Sequence, residues 1–213
     1  MSIDPPIRVL VVEDHSVVRE GIVSILNRQK DITVVAEAEN GSEAVELFQR
    51  YRPDITLMDL RMPQMEGLEA IVQIRQSSPN ARIVILTTYD TDEDIYQGMQ
   101  VGARGYLLKD ASAAELANAV RIVHQGKRYV PSDVAAKLAA RVGNDDLTRK
   151  EKEVLKKMVL NSSTAKLAEE MHLSEGTVKF HINNIFQKLN VNDRTQAIVV
   201  ALRRGLIRLD KES

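Results

Sequence analysis

The chain contains no cysteine. Disulfides, thiolate metal sites and a cysteine nucleophile are therefore excluded, and the composition is compatible with a reducing compartment. No window approaches the about 18 uncharged apolar residues that a membrane helix needs. Residues 1–6 lack the basic start and apolar stretch of a secretory leader. A cytoplasmic protein with no membrane partner is expected. Walker-type phosphate loops, GxGxxG and HExxH are also missing, so ATPase, dinucleotide and zincin readings lack support. There is no internal repeat and no low-complexity tract.

What is present is an ordinary globular composition, 44% apolar and 28% charged over 213 residues, a length that suits two modest domains. The net charge of −1 conceals an asymmetry. Residues 1–146 hold 16 Lys and Arg against 22 Asp and Glu, whereas residues 147–213 hold 13 against 8. An acidic front and a basic back suggest different partners, with nucleic acid a candidate for the second.

The first 125 residues alternate between two patterns. Short runs rich in Val and Ile predict strands at 7–12, 32–36, 54–58, 82–86 and 105–108. Helical spacing intervenes at 16–27, 42–51, 68–77, 92–101 and 113–125. The first helix is expected to bury one face made of Val17, Val18, Ile22, Ile25 and Leu26. Strict alternation implies a parallel sheet with helices on both faces. Residues 126–146, with Gly126, Pro131, Gly143 and Asp145-Asp146, suit a linker holding one short helix at 132–141, capped by Ser132 or begun near Pro131. From Leu147 four helices fit: 149–160, 164–171, 175–189 and 194–204.

In an open parallel sheet, ligands bind beyond the carboxyl ends of the strands. Those ends carry Glu13 and Asp14, Asp59, Thr87 and Lys109. Carboxylate oxygens suit Mg²⁺, and a carboxylate can itself be a nucleophile that forms an aspartyl-phosphate. A lysine and a hydroxyl nearby would hold phosphoryl oxygens as charge develops. The acidic run at 90–94 resembles the start of a calcium loop, but Ile95 and Val101 stand where such a loop needs glycine and glutamate; an acidic helix start is the better reading.

Residues 7–125 resemble the receiver domain of a bacterial response regulator. The resemblance is carried by Glu13-Asp14, by Asp59 within Met58-Asp59-Leu60-Arg61-Met62-Pro63, and by Gly67, Thr87, Tyr106 and Lys109. It implies a flavodoxin-like α/β fold with a five-stranded parallel sheet. It also implies that Asp59 accepts a phosphoryl group from a sensor histidine kinase. Asp14, Glu13, Asp59 and the backbone carbonyl of Arg61 would bind Mg²⁺. Thr87 and Lys109 would grip the phosphoryl oxygens, and Tyr106 would turn inward as Thr87 moves.

The basic end predicts a helix-turn-helix: 164–171, a turn at 172–174, and 175–189 capped by Ser174. The longer helix turns Val178, Ile182, Ile185, Phe186 and Leu189 to its core, and leaves Glu175, Thr177, Lys179, Phe180, Asn183 and Gln187 outside. Lys can donate to guanine, Asn can pair with adenine, and an apolar group can touch a thymine methyl. Leu147-Thr148, Glu151, Glu153-Val154-Leu155, Leu173 to Lys179, His181, Lys188-Leu189 and Asp193 to Ala197 resemble a LuxR-type DNA-binding domain. With the receiver, this resembles the NarL/FixJ family. That resemblance places Lys179, Phe180 and Asn183 at base-reading positions, and Thr177, His181 and Lys188 at phosphates, with packing at the core edge an open alternative for His181. It places a dimer contact at Val191, Ala197, Val200 and Ala201. The chain departs from the family at 161–166, where Asn161 is expected to close a helix in the left-handed region. It also departs at Arg149, where proline is common, and at Phe180, which is bulkier than usual.

The expectation is a receiver at 1–125, a linker at 126–146 and a four-helix DNA-binding domain at 147–213. It would regulate transcription as a homodimer when phosphorylated, with promoter DNA, a histidine kinase and RNA polymerase as partners. As an enzyme the receiver would catalyse only its own phosphorylation and dephosphorylation. Two rivals are a DNA-binding regulator whose receiver senses a ligand or partner without phosphate, and a phosphatase using the same carboxylates.

Overall fold

The computed structural model describes residues 5–88, 91–142, 147–160 and 163–207. The chain divides into two compact units, one built from residues 1–90 and 94–136 and the other from 91–93 and 137–213.

In the first unit, β1 (Ile7–Val12), β2 (Ile32–Ala38), β3 (Ile55–Met58), β4 (Ile83–Thr87) and β5 (Gly105–Leu108) form one sheet in the order β2-β1-β3-β4-β5. Every pairing is parallel. Between the strands run α1 (Ser16–Asn27), α2 (Gly41–Tyr51), α3 (Gly67–Ser77) and α4 (Asp92–Gln100), and α5 (Ala113–His124) follows β5. The central strands are buried on both faces because helices cover both, which is why they read as continuous apolar runs. One core cluster joins Val9, Val11, Ile55, Leu57, Val84 and Leu107 to Ile22 and Leu26 of α1 and to Leu116, Val120 and Val123 of α5.

Local chemistry sets the helix starts. Asn40 caps α2 by accepting from the Glu43 N–H, and its own amide donates to the Glu43 carboxylate. Ser112 and Glu115 form a reciprocal capping box on α5. The expected face of α1 is corrected at its start: Ile22 and Leu26 are buried, but Val17 is 81% exposed and Val18 lies outside too. The helix begins at the carboxyl rim of β1, so its first turn overhangs the sheet end.

The segment expected as a linker is partly folded into the first unit. Tyr129 bridges Gly105 in parallel, its carbonyl accepting from Tyr106 and its N–H donating to Arg104. Its ring packs on the main core. The helix α6 (Ser132–Val142) starts one residue earlier than a Ser132 cap requires, with the Pro131 carbonyl accepting from Ala135, and its Val134 is buried.

The second unit holds α7 (Arg149–Leu160), α8 (Thr164–Glu170), α9 (Glu175–Leu189) and α10 (Arg194–Arg203) around a separate core of Leu155, Leu167, Val178, Ile185, Leu189, Ala197 and Ala201. Ser163, Ser174 and Asp193 cap α8, α9 and α10 by accepting from N–H groups of Lys166, Thr177 and Gln196. The helix end expected at Asn161 lies outside the described residues. No helix among the described residues is long and apolar enough to cross a membrane.

Candidate functional site

Three backbone bonds align the strand ends of the first unit. Glu13 donates to the Ala38 carbonyl, Asp59 to Val12 and Lys109 to Thr87, each at 3.0 Å. The residues just past β1, β3 and β5 therefore meet at one rim. There the Lys109 ammonium lies 2.6 Å from Glu13 Oε2 and 2.7 Å from Asp59 Oδ2. Glu13 and Asp59 are almost wholly buried. The second Asp59 oxygen, Oδ1, accepts from the Leu60 N–H at 2.7 Å. Burial pushes the Lys109 ammonium down, but its hydrogen bonds to Asp59 and Glu13 outweigh that, and its pKa is raised.

Asp14 stands beside this pair. His15, which sequence reasoning passed over, joins it: Nδ1 lies 2.9 Å from Asp14 Oδ1 and 3.2 Å from Glu13 Oε1. Ligand atoms of Glu13, Asp14 and His15 fall within 4.8 Å of one another. The signal was available, since His15 sits directly after the acidic pair as the N-terminal cap of α1, yet its side chain caps nothing. Three carboxylates against one ammonium leave excess negative charge on hard oxygen donors, which fits a divalent cation such as Mg²⁺.

Thr87 and Tyr106 are both fully buried, on the adjacent strands β4 and β5. Tyr106 is in register with Ile85. The neighbouring helix approaches them through Gly98, where a Cβ would overlap the Ile85 Cδ1 and lie 3.7 Å from the Tyr106 ring. Arg61 lies in the loop after Asp59, and its guanidinium pairs with Glu66 at 2.9 Å and Asp94 at 2.6 Å.

In the second unit the turn before α9 is closed by His172 in the left-handed region and by a Leu173 N–H bond to the Ala168 carbonyl. Lys179, Phe180 and Asn183 are exposed on α9, with Phe180 at 61%. Thr177 and His181 are half-buried. The His181 ring meets Phe180 edge-on at 5.7 Å. Its Nδ1 is buried without a hydrogen-bond partner among the described residues.

Three of the expected contact residues are engaged inside the unit. Lys188 donates at 2.9 Å to the buried Glu151 carboxylate on α7. Ala197 and Ala201 are fully buried in the core and offer no surface for a dimer contact. Val191 and Val200 are half-buried against the same core. Ala197 and Ala201 thus lie on the inner face of α10, while Val199 is 58% exposed.

Comparison with known proteins accounts for both units. Residues 9–121 match the response regulator receiver domain, and residues 145–201 match the bacterial regulatory proteins of the luxR family. The chain is 39% identical over 212 residues to the uncharacterized transcriptional regulatory protein YxjL of Bacillus subtilis (strain 168), covering 94% of this chain and 97% of that protein. It is 40% identical over 209 residues to the transcriptional regulatory protein LiaR of the same organism, covering 94% and 99%. The crystal structure of the response regulator ChrA from a heme-sensing two-component system matches at 39% identity and a TM-score of 0.56, covering 95% of this chain and 99% of that one. A receiver fold with carboxylates at its rim, followed by a LuxR-type helix-turn-helix, places this chain in the NarL/FixJ family of response regulators that regulate transcription.

Proposed function

We propose that phosphorylation of Asp59 controls dimerisation and DNA binding by this chain. The observation that carries the reading is the buried Lys109 ammonium shared between Asp59 and Glu13 at the carboxyl rim of the sheet.

An Asp59 carboxylate oxygen attacks the phosphorus of a phosphohistidine on a sensor kinase. The P–N bond breaks, its electron pair returns to the imidazole, and an acyl phosphate remains on Asp59. Mg²⁺ held by Glu13, Asp14, Asp59 and the Arg61 backbone carbonyl would neutralise charge between these oxygens and the phosphoryl group. Lys109 turns from the Asp59 carboxylate to a phosphoryl oxygen, and the Thr87 hydroxyl donates to another. Water later cleaves the acyl phosphate, releasing inorganic phosphate and restoring the Asp59 carboxylate, so the receiver catalyses only its own phosphorylation and dephosphorylation.

The phosphoryl group adds roughly −1.5 to −2 charges. Thr87 and Tyr106 convert that change into a second arrangement of the receiver, and the buried Tyr106 ring matches the inward position of such a switch. A shift from mostly off to mostly on needs about 5.5 kcal/mol of differential stabilisation, part of it supplied by dimerisation on DNA. The receiver and output domains are taken as 1–125 and 147–213, with 126–146 as the linker between them. Lys179, Phe180 and Asn183 read bases, Thr177 and His181 contact phosphates, and the outer face of α10, including Val199, carries the dimer contact with Val191 and Val200 at its border. RNA polymerase is the downstream partner, and the cytoplasm is the location.

A titration against a pool of random duplexes at two salt concentrations tests this reading. It is run with and without Mg²⁺ and beryllium fluoride, which imitates the phosphoryl group. The expected result is tighter selective binding with the mimic, abolished in Asp59→Ala. Selective binding indifferent to the mimic would sink the phosphorylation step, and sequence-blind binding in both conditions would sink the DNA-reading assignment.

A further inference from the structure

The loop that leaves Asp59 is short and closed: the Gly67 N–H donates to the Leu60 carbonyl at 3.0 Å, bringing the start of α3 back to the end of β3. Arg61 sits inside this closed loop, and its side chain is only 20% exposed. One arm of its guanidinium, Nη1, holds Glu66 within the loop at 2.9 Å. The other, Nη2, holds Asp94 at 2.6 Å, 33 residues away in the first turn of α4. Asp94 is 3% exposed, so losing a partner costs its charge more than it would cost a surface carboxylate.

A planar fork with two fixed donors can grip both carboxylates at once, which a lysine ammonium on a flexible stem does poorly. The glycine contact at Gly98 then packs the same α4 against Ile85 and the ring of Tyr106.

We propose that Arg61 is a positioning residue that transmits the state of Asp59 to α4: any displacement of the loop backbone at Arg61 pulls on Asp94 through the guanidinium. This rests on the reading of Asp59 as phosphoacceptor. It adds a route to α4 that bypasses Thr87. The metal contact assigned to Arg61 is its backbone carbonyl, so side-chain variants leave that ligand in place.

The test is hydrogen exchange on the full chain, with and without Mg²⁺ and beryllium fluoride. The wild-type chain is expected to show slowed exchange in the 60–66 loop and a several-fold change across residues 94–100. Arg61→Ala and the near-isosteric Asp94→Asn should keep the loop response and lose most of the change across α4. The charge reversal Arg61→Asp with Asp94→Arg should restore it, which ties the α4 response to the ion pair; a kept loop response beside a lost α4 response is what a merely structural role would not produce. A full α4 response in both single variants overturns the proposal, as does a wild-type loop response with no change in α4. A wild-type chain whose loop ignores the mimic would instead overturn the phosphoacceptor reading beneath it.

Discussion

The backbone at Gly67 lies so close to Asp59 that a Cβ there would overlap the Asp59 carbonyl oxygen. The obstacle is backbone rather than the end of a flexible side chain, so nothing can rotate aside. Gly67→Ala is expected to cost about 3 kcal/mol, at the upper end of overpacking effects, and to weaken binding of beryllium fluoride with Mg²⁺. Thermal unfolding with and without the mimic measures both. An unchanged melting temperature would mean that the loop has room to open.

Lys109 pairs with two of the carboxylates proposed to hold a divalent cation, Glu13 and Asp59. Lys109→Met leaves Glu13 and Asp59 facing each other with no counter-charge, so the chain should be less stable without Mg²⁺. Removing the competing ammonium should also raise Mg²⁺ affinity several-fold. Thermal unfolding across a Mg²⁺ titration separates the two effects, and an affinity that falls would contradict competition at this site.

Glu151 links folding of the second unit to pH. Burial works against its carboxylate, but the Lys188 ammonium and the bonds from Thr148 outweigh this and hold its pKa below the ordinary 4.5. The unfolded chain therefore binds that proton more readily than the folded chain does. The stabilisation is complete above about pH 4.5 and is lost as the pH falls through the lower, folded value. Hydrogen exchange across α9 should accelerate in that acid window in the wild-type chain. The acceleration should be smaller in Glu151→Gln, which has no proton to bind. Lys188→Ala is expected to cost about 1.5–3 kcal/mol, the range for a hydrogen bond to a charged group.

Phe180 is exposed on the outer face of α9. Phe180→Ala should leave stability within about 0.5 kcal/mol, as at other surface positions, while selective duplex affinity drops several-fold. Unfolding and binding titrations on the same preparation decide it; equal affinity would remove Phe180 from the reading surface.

Much of this was legible before any coordinates. Strand and helix alternation follows from apolar periodicity, because a strand covered on both faces must be apolar throughout and a helix on one face must repeat at 3.6 residues. Glu13, Asp14, Asp59, Thr87 and Lys109 were placed at one rim because every parallel strand ends on the same side. Periodicity does not say how far a covering element extends: Val17 follows the helical pattern yet overhangs the sheet end, and Ala197 and Ala201 follow it on the inward face of α10.

The amino-acid sequence by itself determined the two-domain order, the parallel sheet, the acidic rim and the exposed triad of Lys179, Phe180 and Asn183, since each depends on local pattern and chain order. The tertiary structure alone decided which charges meet. Arg61 and Asp94 are 33 residues apart, and Glu151 and Lys188 are 37 apart. Each pair forms only because packing brings two elements within hydrogen-bond reach and removes the water that would otherwise have solvated both charges.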